Sequence, residues 1–206
     1  MIPNEGRTVA EVDKTSKISI LLNLPAPLLP PMQSLPSRRC APEETTSDYH
    51  RELIDATPGD DVLMVLCEQI SRLVDLAGSV STDQVDTVHP PYGWTIRQVL
   101  AHCAEAERVF GYRMLRIAAG DPSELADWDE NAYADARYGL GNFDQMVMEI
   151  SHLREANLIL LKRLNPPCWD RVGTVGGHRM SVRAIAWLTA GHLRHHLQIV
   201  AQRIGC

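Results

Sequence analysis

Apolar positions recur every three or four residues in four stretches of this chain, the period of an amphipathic α-helix. The first stretch runs from about Asp60 to Ala77, with Val62, Val65, Leu66, Ile70, Leu73 and Val74 on one side and Gly78 as its stop. The second begins at Thr95, where Thr95-x-x-Gln98 reads as a capping box and Trp94 and Val99 as a hydrophobic staple. Leu100, Cys103, Phe110, Met114 and Ile117 carry it to Gly120. The third covers about Phe143 to Leu164, with Met146, Ile150, Leu153, Leu160 and Leu164 on one face and Pro166-Pro167 ending it. The fourth starts at Ser181, stapled by Met180 and Ile185, and runs to about Ile204.

Four such helices predict an all-α four-helix bundle. The link between the second and third helices, Asp121 to Asn142, is 22 residues long. That length predicts a long crossover, and long loops tend to carry function. Before the fourth helix, Arg171 to Met180 reads as a short hairpin around Gly176-Gly177.

Residues 1–47 break this pattern. They hold seven of the thirteen prolines, which forbid a continuous helix. They are expected to form a disordered Pro-rich extension, with the bundle domain spanning 48–206. The apolar run from Ile18 to Leu29 follows Lys14 and Lys17, as in an export signal. However, Glu5, Glu11 and Asp13 precede it, Pro25 and Pro27 interrupt it, and no clean small-x-small site follows. A tail, or a start codon placed too far upstream, is the preferred reading.

Composition narrows the function classes. A net charge of -6 and a pI near 5.7 argue against a nucleic-acid partner. No run of 18 apolar residues predicts a membrane span. The five cysteines are scattered and lack a CxxC, so neither a disulfide framework nor a zinc ribbon is expected, and a reducing cytoplasm is the simplest home.

The chemistry concentrates in Gly191-His192-Leu193-Arg194-His195-His196. On a helix His192 and His196 stack one turn apart, where two imidazoles can grip one transition-metal ion. His195 is the competing choice at the flank. A core site needs a third ligand from another helix, and His102 lies beside the stripe of Val99, Cys103 and Phe110. His152 is placed toward solvent. Surface or hydrogen-bonded core histidines remain the alternative on spacing alone. A di-iron site is disfavoured, because Glu149-x-x-His152 is the one Glu-x-x-His motif. Cys103 reads as core filler. The fourth helix holds Arg183, Arg194 and Arg203 and no acid, which favours an anionic fourth ligand such as hydroxide or thiolate. In the crossover, Asp129 or Glu130 is a candidate outer-shell acceptor or general base, against the reading of a solvated acidic loop.

Several segments together resemble the DinB-like family of four-helix-bundle metalloproteins over about residues 48–204. They are Trp94 to His102, Ala106 to Arg113, Asp129 to Tyr133, Ser181 to Trp187 and Gly191 to His196. The resemblance implies a three-histidine site made of His102, His192 and His196, holding a divalent transition metal (Zn, Ni or Fe). Family members include metal-dependent transferases acting on low-molecular-weight thiols such as bacillithiol or mycothiol, and also isomerases and hydrolases. The expected function is therefore a metal-dependent enzyme of the thiol S-transferase type, with a small-molecule thiol and an electrophile as partners. The alternative is a non-catalytic, stress-associated metal-binding protein or dimeric scaffold.

Overall fold

Each of the four periodic stretches is a helix that starts on a side-chain cap. The computed structural model describes residues 35–136 and 140–205. Its elements are α1 (Asp48–Asp55), α2 (Val62–Gly78), α3 (Thr82–Val85), α4 (Ile96–Ala118), α5 (Glu130–Ala136), α6 (Phe143–Lys162), the strands β1 (Val172–Val175) and β2 (His178–Ser181), and α7 (Val182–Ile204). Short 3-10 turns lie at Pro42–Glu44 and Pro166–Asp170. Asp61, Thr95, Asn142 and Ser181 accept from the backbone N–H of Leu63, Gln98, Gln145 and Ala184 at 2.9–3.1 Å. Each such cap contributes about 1 kcal/mol.

The long helices form a ring in which α2 and α4 each pack on both α6 and α7. The α2-to-α4 and α6-to-α7 connections therefore cross the bundle diagonally. The long link from α4 to α6 joins neighbours instead, so its length is not spent on crossing. It carries α5 and lies against the hairpin: Leu125 N–H donates to Thr174 O at 2.9 Å, and Gly176 N–H donates to Leu125 O at 3.0 Å. The predicted hairpin is β1 paired antiparallel with β2, Val175 opposite His178. Its two turn residues, Gly176 and Gly177, have φ of 52° and 79°, a conformation that favours glycine.

The buried face of α6 differs from the predicted stripe. It comprises Met146, Val147, Ile150, Arg154, Asn157, Leu158 and Leu161, with Leu153 and Leu160 half-buried at its edge. Hydrophobic periodicity skips Arg154 and Asn157 because they are polar. They lie inside because each finds a partner. Arg154 donates to Glu107 Oε1 through Nε at 3.0 Å and to Gln69 Oε1 at 2.6 Å. Asn157 donates to Glu107 Oε2 at 3.0 Å, and Gln69 donates to Ala190 O at 2.8 Å. One buried network thus ties α2, α4, α6 and α7 together.

The folded chain begins earlier than the expected boundary at residue 48. Residues 35–47 pack on the bundle, with Arg183 donating to Pro36 O at 2.7 Å and to Glu44 Oε2 at 2.8 Å. Trp187 Nε1 donates to Arg38 O at 2.9 Å, and Val62 N–H donates to Ser37 O at 3.0 Å. Proline density reports only that this segment cannot be helical. Its partners on α7 lie about 145 residues away in sequence, beyond the reach of any local pattern. The rest of the Pro-rich segment, including Ile18 to Leu29, lies outside the described residues. No helix among the described residues is long and apolar enough to cross a membrane.

Helix α1 was not visible as a periodic stretch. It packs on α7 at Gly191, where an added Cβ would stand 2.5 Å from Leu53 O and 2.8 Å from its carbonyl carbon. These are backbone atoms and cannot swing away. Gly191→Ala is expected to push α1 off α7 and to cost roughly 1–3 kcal/mol, the usual range for overpacking. Thermal denaturation reads this directly, and an unchanged melting temperature would contradict the close approach.

Candidate metal centre

His102 faces inward two turns into α4. On α7, the four-residue spacing stacks His192 over His196 on the side turned toward α4. The three rings converge, with centroids 4.7 Å apart for His102–His192 and for His102–His196, and 4.5 Å for His192–His196. One ring nitrogen from each lies within 4.8 Å of the others. Nε2 of His102 and Nε2 of His192 are 2.9 Å apart. An ion held at roughly 2.1 Å by two imidazoles sets their nitrogens about 3.0 Å apart at a right angle and about 3.4 Å apart tetrahedrally. One ion can therefore bridge the observed gap. His195 touches His196 edge-on at 5.1 Å but is not part of the cluster, and His152 is exposed.

The environment suits a Lewis acid. Burial holds His102 down to about 4 and His196 down to about 3, and pushes His192 well below the usual histidine value of 6.5. All three rings are then neutral at pH 7, as metal ligands must be. Neutral rings can share one N–H across the 2.9 Å gap, but Nδ1 of His102 and Nδ1 of His196 stay buried without a hydrogen-bond partner. Trp128 stacks on His102 at 5.2 Å, Trp94 meets its edge at 5.3 Å, and Phe110 meets His192 at 5.5 Å. This aromatic collar keeps the rings dry while a cavity of about 180 Å³ opens over them.

Several sequence expectations change here. No carboxylate takes up Nδ1 of His102 or of His196, so the outer-shell role expected of Asp129 or Glu130 is not seen. Asp129 is occupied at the start of α5, where Oδ1 accepts from Ala132 N–H at 3.0 Å. Glu130 does line the cavity, half-buried. The acid-free face of α7 contributes less positive charge than expected. Arg183 is neutralised by Glu44 at 2.8 Å and Asp170 at 2.7 Å, and Arg203 is turned to Trp94 O and the Tyr92 ring. Cys103 is buried in the core, and burial pushes its thiol far up, so it is no nucleophile.

Among the wall residues that escaped the sequence reading in this role are Trp94, Trp128, His50 and Arg113. Arg113 had a usable signal, since His102, Ala106, Phe110 and Arg113 form one helical stripe. His50 had none, being 142 residues from His192. Burial, with the nearby His178 and Arg113 charges, lowers His50 to about 4.

These depressed values predict acid sensitivity in the metal-free protein. Each ring is neutral when folded but takes a proton near pH 6.5 when unfolded, so the unfolded chain binds more protons below that pH. Stability is full above pH 6.5 and is lost as the pH falls toward 4. At His102 alone, the fall from 6.5 to about 4 corresponds to roughly 3 kcal/mol. Melting temperatures of chelator-treated protein between pH 4 and 8 should drop across that window, and less steeply for His102→Gln. A flat profile would contradict buried neutral rings.

A family model described as the DinB superfamily matches residues 66–200. Among solved structures, one similar to this chain is YfiT from Bacillus subtilis, described as "a probable metal-dependent hydrolase with an unusual four-helix bundle topology". It has a TM-score of 0.63 and 19% identity, over 82% of this chain and 98% of YfiT. A second is a mycothiol-dependent maleylpyruvate isomerase, with a TM-score of 0.55 and 16% identity over 70% of this chain. The match spans 60% of the isomerase's length. At these identities both show the shared fold. No curated protein matches by sequence.

Proposed function

The chain belongs to the DinB superfamily, and from that premise we propose that it is a metal-dependent enzyme of the thiol S-transferase type. His102, His192 and His196 would hold one divalent transition-metal ion. The convergence of three neutral imidazoles, His102 and His192 buried and His196 half-buried, beneath an open cavity carries this reading. The names of the two structural neighbours, one metal-dependent and one thiol-dependent, support it.

An ion held by these three neutral rings would supply a Lewis acid, lowering the pKa of a bound thiol or water. The protein's own groups do the rest. Trp94, Trp128 and Phe110 exclude water from one side of the rings. Glu130, on the cavity wall, would accept the proton released when a thiol becomes thiolate, while His50, whose surroundings disfavour its charged form, stays a neutral wall residue. The electrophile enters from the open side of the cavity.

Elemental analysis of the purified protein, followed by conjugation assays pairing small thiols with a panel of electrophiles, tests the proposal. The expected result is about one ion per chain and turnover that chelation abolishes. Exposed apolar side chains on the outer helix faces, among them Met64 at 60%, Met148 at 54% and Ile159 at 66%, favour a second reading, a dimeric metal-binding scaffold. Bound metal with no turnover, together with a dimer in sedimentation, would put that reading first.

A further inference from the structure

Arg113 is a charge that the fold has buried without fully pairing. It is 6% exposed and lines the cavity over the three histidines. Among the described residues it makes one hydrogen bond, from NH2 to Ala126 O at 3.0 Å. Its one carboxylate neighbour, Asp127, is 3.7 Å from that same NH2, and the Asp127 side chain is 84% exposed. Asp127 Oδ1 is also engaged by Trp128 N–H at 2.9 Å. An exposed carboxylate at that distance compensates a buried cation weakly. A guanidinium has five donors in a planar fork that matches an oxyanion two bonds at a time. Here most of the fork has no hydrogen-bond acceptor among the described residues, a further contact being the Phe110 ring at 6.0 Å. An isolated buried cation is expensive, and an anion entering the cavity would offset that cost.

Position on the helix sets the shape of such a ligand. Arg113 and His102 share one stripe of α4, eleven residues apart, with Phe110 between them. Three turns separate their Cα atoms by about 16 Å. Both side chains lean toward the helix N-terminus, and the longer Arg113 reaches back past one turn. Its guanidinium is 6.0 Å from the Phe110 ring, which is itself 5.5 Å from the His192 ring, so the two ends lie no more than about 12 Å apart. A donor atom at the histidines and an acid at Arg113 therefore belong to opposite ends of an extended molecule, not to one chelating group.

We propose that the cavity takes an extended substrate with a thiol at the histidine end and a carboxylate, or a similar oxyanion, anchored by Arg113. The inference rests on the metal-centre reading for its thiol end and on Arg113 alone for its acid end.

Cobalt-loaded protein makes both ends measurable, since thiolate binding to cobalt gives a charge-transfer band. The probes are 6-mercaptohexanoate, its neutral analogue 6-mercaptohexanol, and the short acid mercaptoacetate. Native protein is expected to bind the long acid at least ~10-fold tighter than the alcohol, the worth of one charge-assisted bidentate contact. Mercaptoacetate should lack that advantage. In Arg113→Gln the ratio should fall to near one, with cobalt content and alcohol affinity unchanged, and Arg113→Lys should restore part of it. Equal affinities of native protein for the long acid and the alcohol would overturn the proposal without needing any variant, and so would an undiminished ratio in Arg113→Gln. If the protein takes up no metal, the metal-centre reading fails separately. Calorimetry with hexanoate against hexanol then reads the acid end: an Arg113-dependent preference for hexanoate sustains it, and none overturns it.

Discussion

Replacing His192 with alanine is expected to leave a folded protein without its metal. His192 is one corner of a nearly equilateral triangle, its ring centroid 4.7 Å from His102 and 4.5 Å from His196, which are 4.7 Å from each other. Its loss leaves two imidazoles on different helices, which is a poor site for a divalent ion. The fall in affinity should exceed the ~10–100-fold that follows loss of a ligand's outer hydrogen-bond partner. His102→Ala and His196→Ala should behave alike, because each removes one of three equivalent donors. His195→Ala is the control, since its ring lies outside the cluster and its loss should leave metal content unchanged. Metal content by elemental analysis, with circular dichroism to confirm folding, decides the matter. Stoichiometric metal in His192→Ala would sink the site assignment, and metal lost from His195→Ala would redraw it.

How much of this was legible in the sequence depends on the range of the interaction concerned. The long helices were readable because capping and amphipathicity act over one or two turns, and Thr95, Asn142 and Ser181 are caps in the structure. The juxtaposed histidine pair was readable for the same reason: four residues on a helix put His192 and His196 together. His102 required the assumption that α4 faces α7, which the fold satisfies. What stayed hidden is set by contacts between distant segments. Arg154 hides in the core because its partners are 47 and 85 positions away. His50 reaches the cavity only because Gly191 lets α1 settle onto α7. The long link between α4 and α6 joins neighbours and is no crossover, and its acids drew attention that belonged to Trp128, whose ring covers His102.

The buried network below the histidines should be the costliest part of the core to disturb. Arg154 and Glu107 are 1% and 3% exposed, so neither charge can fall back on water. Glu107→Gln keeps the shape but removes the negative charge, which strands the guanidinium among α2, α4, α6 and α7. Breaking one side of such a pair costs roughly 3–5 kcal/mol, a large share of the 5–15 kcal/mol that holds a domain of this size together. A melting temperature lower by roughly 10 °C is expected. Replacing both charges, as in Glu107→Leu with Arg154→Met, should recover much of the loss, since an apolar pair of similar volume removes the desolvation penalty along with the attraction. Recovery should stop short of native, because Gln69 Oε1 loses its donor, an unpaired group that costs about 1–3 kcal/mol, and Asn157 Nδ2 keeps only the Glu107 carbonyl. Gln69 also holds Ala190 O, and Arg154 reaches Thr189 O, both on the turn of α7 just before His192. The double variant should therefore bind metal more weakly than native while remaining folded. If Glu107→Gln melts like the native protein, the carboxylate is not what holds Arg154. If the double variant is less stable than either single change, the pair is a net source of stability and not merely an internally compensated one.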